Sequence, residues 1–228
     1  MSNLEILYED NHIIVVFKPI NILSQGDITG DMDMLTIIKG YIKEKYNKPG
    51  NVYLGLVHRL DRVTSGVMVF AKTSKAASRL SNEIRNNKIK KNYFAIIHGK
   101  INNEGVFEDY LLKKDDFNTV VSSNGKYAKL SYKLVDYDDK NDLSLVDVSL
   151  ETGRHHQIRV QFSSRGYPLL GDKRYGNDKY NELGLCAYKL EFIHPVTKEL
   201  MKFIRYPEGK IWNFKCLKGD CYGKEEKK

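Results

Sequence analysis

Cysteine is scarce in this sequence. The three cysteines, Cys186, Cys216 and Cys221, form no CxxC or CxxH pair. The spacing between Cys216 and Cys221 is not one that zinc sites usually use, so the cysteines predict no metal site. An odd number of cysteines without a pattern is typical of a reducing compartment and favours a cytoplasmic location.

Long apolar runs are also absent. No stretch approaches the roughly 18 apolar residues of a membrane-spanning helix, so no membrane partner is expected. The N-terminal residues 1–10 contain acids and no long apolar core, which predicts that they are not a signal peptide. No internal repeat or low-complexity tract occurs in the chain.

The composition that remains is that of a folded protein with a basic balance. The 228 residues are 41% hydrophobic and 29% charged, enough for one sizeable core or two small lobes. Lysine and arginine total 37 against 29 acids, which gives a net charge of +8. This charge is compatible with a polyanionic partner, although many soluble proteins are mildly basic.

The most informative stretch is HRLDRVTSG, residues 58–66. It lies between two short apolar runs, 52–57 and 67–71, which predict buried strands on either side of a loop. Asp61 has a basic residue on each side, Arg59 and Arg62, and nearby cations favour an ionised carboxylate that can act as nucleophile or base. On composition alone, a turn with a surface ion pair is the commoner outcome.

A second stretch combines basic and aromatic residues. The basic segment 88–91 precedes a predicted strand, 93–97, and Tyr93 opens that strand. A tyrosine can stack on a pyrimidine and also donate a hydrogen bond. The alternatives are a solvated basic face and a tyrosine that only packs in the core.

A third stretch, ETGRHHQIRV, covers residues 151–160 and opens a predicted helix with Ile158 and Phe162 on one face. The adjacent His155 and His156 invite comparison with a metal site. However, no HExxH spacing and no cysteine or acid pair completes one, so no metal is predicted.

These stretches resemble the motifs of the RluA-type RNA pseudouridine synthases. HRLDRVTSG is similar to the first motif, Lys-x-Tyr-x-Ala over 91–95 followed by Gly99 is similar to the second, and Thr152–Arg159 is similar to the third. The order along the chain is also the family's, from Lys18-Pro19 to His194-Pro195. Two residues depart from the pattern: His155 replaces the usual Thr or Ser, and Cys186 stands where His is more common.

The resemblance implies a mechanism and roles for particular residues. Asp61 would be the catalytic carboxylate, and whether it attacks the sugar, adds to the base or removes the 2′ proton stays open. Arg159 would pair with Asp61 and orient it. Tyr93 would stack on the uracil and is a candidate for proton transfer at C5. The target uridine must leave its stack, and Arg59 is expected to occupy the vacated space.

The resemblance also implies the remaining contacts of the site. No cofactor and no metal is required for this isomerisation. Leu185 is expected under the target base, although a core leucine is an equally good interpretation. The predicted substrate-binding residues are Arg59, Arg62, Lys91, Arg154, His156, Gln157 and Leu185.

The expected fold is α+β, a central, mixed but mostly antiparallel sheet with helices and loops flanking a catalytic cleft. One catalytic domain is expected over 1–217, without a separate S4-type RNA-binding domain, followed by a polar tail, 218–228. Helices are predicted over 34–46, capped by Asp33, and over 75–87, capped by Ser74. The loop 20–31 is a candidate rim of the RNA-binding cleft.

The predicted partner is RNA, either rRNA or tRNA, bound by a monomer. Two other functions share the basic charge. A non-catalytic RNA-binding module would not need an acid between two arginines. A metal-dependent nuclease usually needs several converging acids, whereas these motifs offer only Asp61.

Overall fold

The computed structural model describes residues 4–116, 118–178 and 180–218, with only the backbone of Lys218. The helices are α1 (Met34–Lys45), α2 (Ser74–Arg85) and α3 (Gln157–Ser163), and two short 3₁₀ helices, Lys210–Trp212 and Lys215–Lys218, follow the last strand. The strands are β1 (Glu5–Glu9), β2 (Ile13–Lys18), β3 (Gly55–Leu56), β4 (Ser65–Ala71), β5 (Lys90–His98), β6 (Glu104–Lys113), β7 (Thr119–Val121), β8 (Lys126–Asp138), β9 (Leu143–Leu150), β10 (Leu185–Ile193) and β11 (Leu200–Ile204).

The chain divides into two compact units. The first contains the residues up to Lys90 together with Ala187–Arg205, and the second contains Lys91–Cys186 and the residues from Tyr206 onward. The expectation of one catalytic domain over 1–217 stays a prediction. Cys221 and, apart from the backbone of Lys218, the predicted tail 218–228 lie outside the described residues.

The first unit is built on a sheet in the order β1-β2-β4-β10, with β11 beside β10 and the short β3 beside β4. β2 and β4 pair antiparallel from Ile13 opposite Ala71 to Lys18 opposite Gly66. Every residue of β4 is buried, and α2 covers the face that carries Val67, Val69 and Ala71 with its apolar positions. One hydrophobic cluster of this unit consists of Ile13, Val15, Val67, Val69, Ala71, Ala76, Leu80, Ile89, Leu190 and Phe192.

The strand predicted over 52–57 is much shorter than the apolar run suggests. Only Gly55 and Leu56 pair, opposite Ala71 and Phe70. Since Ala71 is the last residue of β4, the residues before Gly55 have no partner in that strand.

Each of the two helices in the first unit begins after a residue that caps its N-terminus. Asp33 caps α1 as predicted, accepting hydrogen bonds from the Thr36 amide at 3.1 Å and the Thr36 hydroxyl at 2.7 Å. The cap of α2 is Thr73, whose hydroxyl accepts from the Ala76 amide at 3.2 Å. The prediction of Ser74 is therefore wrong by one residue, because Ser74 is already helical.

The second unit contains an antiparallel sheet in the order β5-β9-β8-β6-β7. α3 packs on this sheet through Phe162, whose ring lies 5.0 Å from that of Phe107 and 5.6 Å from that of Tyr132, centroid to centroid. Edge-to-face contacts of this kind fix a helix on a sheet more firmly than aliphatic packing alone. The third sequence motif is thereby held against β6 and β8.

The combination of antiparallel sheets and three helices confirms the α+β prediction. All strand pairings with a described register are antiparallel. Strands outnumber helices along the chain, because most antiparallel neighbours are joined directly, without a helix between them, as is usual in an α+β fold.

Candidate active site

The first motif forms a loop that is fixed at both ends in the first unit. At its start, the His58 ring accepts a hydrogen bond at Nε2 from the Val69 amide, at 3.0 Å. At its end, Gly66 has φ +143° and its Cα faces Ala187, so that a Cβ there would lie 2.5 Å from the Ala187 carbonyl oxygen. Only glycine satisfies both the backbone angle and the contact. Asp61 therefore lies on a loop whose two ends cannot move independently of β4.

The segment predicted as a rim of the RNA-binding cleft is bonded to the same loop. The Ser24 hydroxyl donates to the Leu60 carbonyl at 2.7 Å and accepts from the Leu60 amide at 3.0 Å. The Asn21 amide donates to the Arg62 carbonyl at 2.8 Å. Arg62 also forms an ion pair with Asp31, Nη1 to Oδ2, at 2.6 Å. The segment 20–31 is therefore bonded to the residues immediately before and after Asp61.

A buried lysine lies beneath this loop. The Lys18 side chain is fully buried, and its ammonium donates to the carbonyls of Pro19 at 2.9 Å, Ile22 at 2.7 Å and Arg62 at 3.2 Å. Burial lowers the pKa of Lys18 to about 7, and the charge of Asp61 opposes that lowering. Three carbonyl acceptors match the three N–H groups of the ammonium form. Lys18 therefore joins the loop to the end of β2 through these three hydrogen bonds.

The three charged residues of the first motif differ in exposure. Asp61 is half-buried, whereas Arg59 and Arg62 are exposed. Asp61 lies within electrostatic range of the buried Lys18, and an ionised carboxylate is the form that acts as a nucleophile or a base. An exposed Arg59 side chain can move without breaking the core, which suits the predicted role of filling the space left by a flipped base.

In the second unit, β5 carries Lys91 and Tyr93 on one face of the sheet. Tyr93 is buried, with 7% of its surface exposed, and lies opposite Val148 of β9. Lys91 is half-buried, and burial lowers its pKa. Its Nζ lies 3.8 Å from the position that a Cβ on Gly153 would occupy. The second motif therefore contacts the loop of the third.

Gln157 organises the loop of the third motif. Its Oε1 accepts from the Thr152 hydroxyl at 2.9 Å and from the Arg154 amide at 2.9 Å. Its Nε2 donates to the Lys129 carbonyl at 3.1 Å, and the residue is buried. This geometry favours a loop-positioning role for Gln157, and its predicted contact with substrate stays a prediction.

The Arg154 side chain also contacts the protein. Its Nε donates to the Tyr127 carbonyl at 2.8 Å, while most of the residue is exposed. That bond fixes the stem of the guanidinium group on β8. The predicted contact of Arg154 with RNA stays a prediction.

His156 is in the left-handed conformation, with φ 52°, immediately before α3. Its Nδ1 lies 2.7 Å from the Tyr175 hydroxyl, and its ring stacks on that of His155 with centroids 3.7 Å apart. Burial, followed by the charge of Arg159, lowers the pKa of His156 to about 3. The imidazole is therefore neutral at physiological pH, and the Tyr175 hydroxyl can donate to its Nδ1.

Arg159, the predicted partner of Asp61, is paired within its own unit with Asp172. Its Nε donates to Asp172 Oδ2 at 2.8 Å and its Nη2 donates to Oδ1 at 2.7 Å. Its Cζ lies 5.1 Å from the centroid of the Tyr175 ring. The guanidinium group is thus held in one orientation. The predicted pairing of Arg159 with Asp61 stays a prediction.

Leu185, predicted to lie under the target base, is buried at the start of β10 with 4% of its surface exposed. Within the described ranges, no group of three or more His, Cys, Asp or Glu side chains could hold a metal ion. Across the same part of the chain, no helix is both long enough and apolar enough to cross a membrane.

Sequence reasoning assigned no role to Lys18, Asp172 or Tyr175, although Lys18-Pro19, Gly171-Asp172 and Tyr175-Gly176 occur in the family's order. Lys18 gave a weak signal, since it ends a strand whose other residues are apolar and precedes a proline. Asp172 and Tyr175 belong to the segment GDKRYG, residues 171–176, which follows the third motif. No local pattern links that turn to Arg159, because the contact depends on how the chain returns to α3.

The sequence belongs to a known family. The family model described as RNA pseudouridylate synthase matches residues 12–164, about two thirds of the chain and the part that contains all three motifs. The chain is therefore a member of the RNA pseudouridylate synthase family. This confirms the predicted RluA-type resemblance and, at the level of the family, the prediction of an RNA pseudouridine synthase.

Two curated relatives illustrate the similarity. An uncharacterised RNA pseudouridine synthase of Bacillus subtilis is 36% identical over 205 residues, which cover 88% of this chain and 67% of the relative. The ribosomal large subunit pseudouridine synthase C of Buchnera aphidicola is 36% identical, over 87% of this chain and 66% of the relative. The chain thus spans about two thirds of the length of these relatives.

Solved structures share the fold. The human RNA pseudouridylate synthase domain containing 4 superposes with a TM-score of 0.75 at 24% identity, covering 90% of this chain and 88% of that one. The human RNA pseudouridylate synthase domain containing 1 gives a TM-score of 0.71 at 22% identity. The pseudouridine synthase fold predicted from the motifs is therefore confirmed.

Proposed function

We propose that this protein isomerises specific uridines of structured RNA to pseudouridine. The family match carries the proposal, because residues 12–164 include the three motifs in the family's order. In the reaction the N1 glycosidic bond breaks, the base turns, and C5 joins the ribose carbon. Atoms and electrons balance within the nucleotide, so the reaction requires no cofactor.

Asp61 supplies the catalytic carboxylate. Its environment supports this role, since it is half-buried on a fixed loop and interacts electrostatically with the buried Lys18. The ionised acid is the form that attacks or abstracts a proton. Attack on the sugar, addition to the base and removal of the 2′ proton are all compatible with such a carboxylate.

Tyr93 and Arg159 act on the same uridine. Tyr93 stacks on the uracil through its ring and moves a proton at C5 through its hydroxyl. Arg159 stabilises and orients the carboxylate. The burial of both side chains supports these roles, because a site with little water strengthens electrostatic and hydrogen-bond interactions.

RNA is held by the basic side chains around these residues, with Arg59 entering the stack when the uridine leaves it. Unstacking costs roughly a few kcal/mol, which the contacts to phosphate and base must supply. Two types of relative carry names that specify the ribosomal large subunit. We therefore take large-subunit rRNA as the first substrate to test and tRNA as the second. The protein acts as a cytoplasmic monomer.

The test uses wild type and an Asp61→Asn variant with unmodified rRNA and tRNA transcripts, in excess chelator. Pseudouridines are mapped by carbodiimide labelling and primer extension. Wild type is expected to produce new stops, whereas Asp61→Asn folds and binds RNA but produces none. Glu44→Gln, an exposed acid on α1, serves as the matched control and retains full activity.

A second variant separates chemistry from binding. Arg159→Ala is expected to reduce the rate of pseudouridine formation far more than RNA affinity, because its role is to orient the acid. An effect on affinity alone would make Arg159 a phosphate contact. Pseudouridine formation by Asp61→Asn at a substantial rate would refute the proposed function, and strong binding without any product would favour a non-catalytic RNA-binding module.

A further inference from the structure

Arg159 and Asp172 form a buried bidentate ion pair. The Nε–Oδ2 and Nη2–Oδ1 distances are 2.8 and 2.7 Å, and the two side chains are 7% and 0% exposed. Two parallel hydrogen bonds fix both the plane and the direction of a guanidinium group. Arg159 therefore cannot rotate about its last bonds without breaking the pair.

Asp172 is itself fixed by the turn that follows it. Its Oδ1 also accepts from the amides of Arg174 at 2.9 Å and Tyr175 at 3.1 Å. Burial acts to raise the pKa of Asp172, but the hydrogen bonds and charge of Arg159 and these two amides hold it below the usual value. The carboxylate is thus oriented by the backbone as well as by the arginine.

Tyr175 completes the support. Its ring faces the guanidinium of Arg159 with 5.1 Å between the Cζ atom and the ring centroid. Its hydroxyl lies 2.7 Å from His156 Nδ1 and accepts from the Thr119 amide at 2.9 Å. The turn therefore contacts Arg159 on an edge and a face, and is bonded to His156, the residue immediately before α3.

The geometry points to Asp172 as a positioning residue for the reaction, which acts through Arg159 with the help of Tyr175. This inference rests on the proposed function. A buried ion pair contributes little net stability compared with apolar residues of the same size. Its effect is to hold the arginine where a charge is needed, and misplacement of a catalytic group by about 1 Å can cost up to about 100-fold in rate.

The same unit contains a matched comparison. Arg165 forms a bidentate pair with Asp109, at 2.9 and 3.1 Å, and its Cζ lies 4.2 Å from the Phe107 ring centroid. The contacts are of the same kind as those of the Arg159 pair, but the side chains are more exposed, 30% and 12%, and none of these three residues belongs to the motifs. Asp109→Asn therefore measures what the loss of such a pair does to the fold alone.

The experiment measures single-turnover pseudouridine formation with enzyme in excess over RNA, and RNA affinity by filter binding. Asp172→Asn is expected to lower the rate about 10- to 100-fold and to change affinity less than about threefold. Asp109→Asn is expected to leave both within about twofold. Asp172→Glu, which keeps the charge but displaces it, should recover part of the lost rate.

A double-mutant cycle distinguishes positioning from a structural role. If Asp172 acts through Arg159, then Asp172→Asn has little further effect, less than about threefold, when Arg159 is already Lys. Independent effects that multiply would overturn the inference. If Asp172→Asn melts below the assay temperature, Asp172→Glu decides: a rate below wild type at unchanged affinity supports positioning, and a wild-type rate overturns it.

The outcomes also separate this inference from the proposed function. Wild type that forms no pseudouridine on any RNA overturns both. Wild-type activity that disappears in Asp61→Asn but survives intact in Asp172→Asn overturns only the role of Asp172.

Discussion

Replacement of Lys18 by methionine tests whether the loop that carries Asp61 depends on a buried charge. The ammonium donates three hydrogen bonds to carbonyls of Pro19, Ile22 and Arg62. Burial lowers the pKa of Lys18 to about 7, so the side chain is about half neutral at pH 7 and still donates hydrogen bonds. The free energy at stake in its replacement is the cost of leaving a buried carbonyl without a donor, about 1–3 kcal/mol for one.

We therefore expect Lys18→Met to be about 2 kcal/mol less stable than wild type at pH 7, roughly the cost of one buried carbonyl that loses its donor. For a protein of this size the melting temperature should fall by about 4–8 °C in Lys18→Met. Urea denaturation and differential scanning calorimetry measure both quantities. Lys75→Met, which replaces an exposed lysine at the start of α2, is the control and should stay within about 0.5 kcal/mol of wild type.

The pH dependence gives a second test of the same residue. The pKa of Lys18 is lower in the folded protein than in the unfolded chain, so between pH 7 and about 10.5 the unfolded chain binds more protons. Wild-type stability relative to Lys18→Met must therefore rise with pH in this window, by up to about 1.4 kcal/mol per unit. A difference that stays constant or falls with pH would refute the argument, as would equal stability of the two proteins at pH 7.

Three further predictions concern stability. Burial opposes ionisation of Glu9, but hydrogen bonds hold its pKa at about 2. Glu9→Gln should therefore cost about 2 kcal/mol of stability at neutral pH, and wild type should lose this advantage as the pH falls from 4.5 towards 2. Urea denaturation measures the difference in stability, and a difference that does not change with pH would contradict the prediction. The pKa of His156 is about 3, below its unfolded value, so wild type should lose stability relative to His156→Gln as the pH falls from 6.5 towards 3, and thermal melts at several pH values test this. Gly66→Ala should cost about 3 kcal/mol of stability, because the new Cβ would contact β10 and the residue has a positive φ. Gly40→Ala, in open space on α1, should instead stabilise the protein by about 0.5–1 kcal/mol in the same denaturation assay. Similar effects of the two substitutions would be inconsistent with the packing described. The donors to Glu9 are Tyr41, Lys45, Tyr46 and Lys72.

Sequence patterns predicted those helices and strands whose bounds depend on residues close together in the chain. Asp33 identified the start of α1, and the apolar run 67–71 predicted the body of β4 and its end at Ala71. The short β3 was overestimated, because the length of a strand depends on where its partner ends.

The residues proposed to act in catalysis or to position others divide in the same way. Asp61, Tyr93 and Arg159 could be selected from the sequence, because their motifs are contiguous and specific. Lys18 and Asp172 could not, because their roles come from contacts across 44 and 13 residues of chain, with the Arg62 carbonyl and with Arg159 respectively. A buried lysine also contradicts the usual preference of charged residues for the surface, so no composition rule would select it.

The first unit is assembled from two separate parts of the chain, and this affects its synthesis. β10 lies beside β4, but Ala187, which packs on Gly66, leaves the ribosome more than a hundred residues after β4 is complete. At about 5–20 residues per second the delay is about 5–20 s, during which one edge of β4 lacks its final partner. An unpaired edge of this kind can pair with other chains. We therefore expect aggregation during translation to depend on how fast the second unit is made, and the loop that carries Asp61 to be among the last parts of the first unit to become fixed.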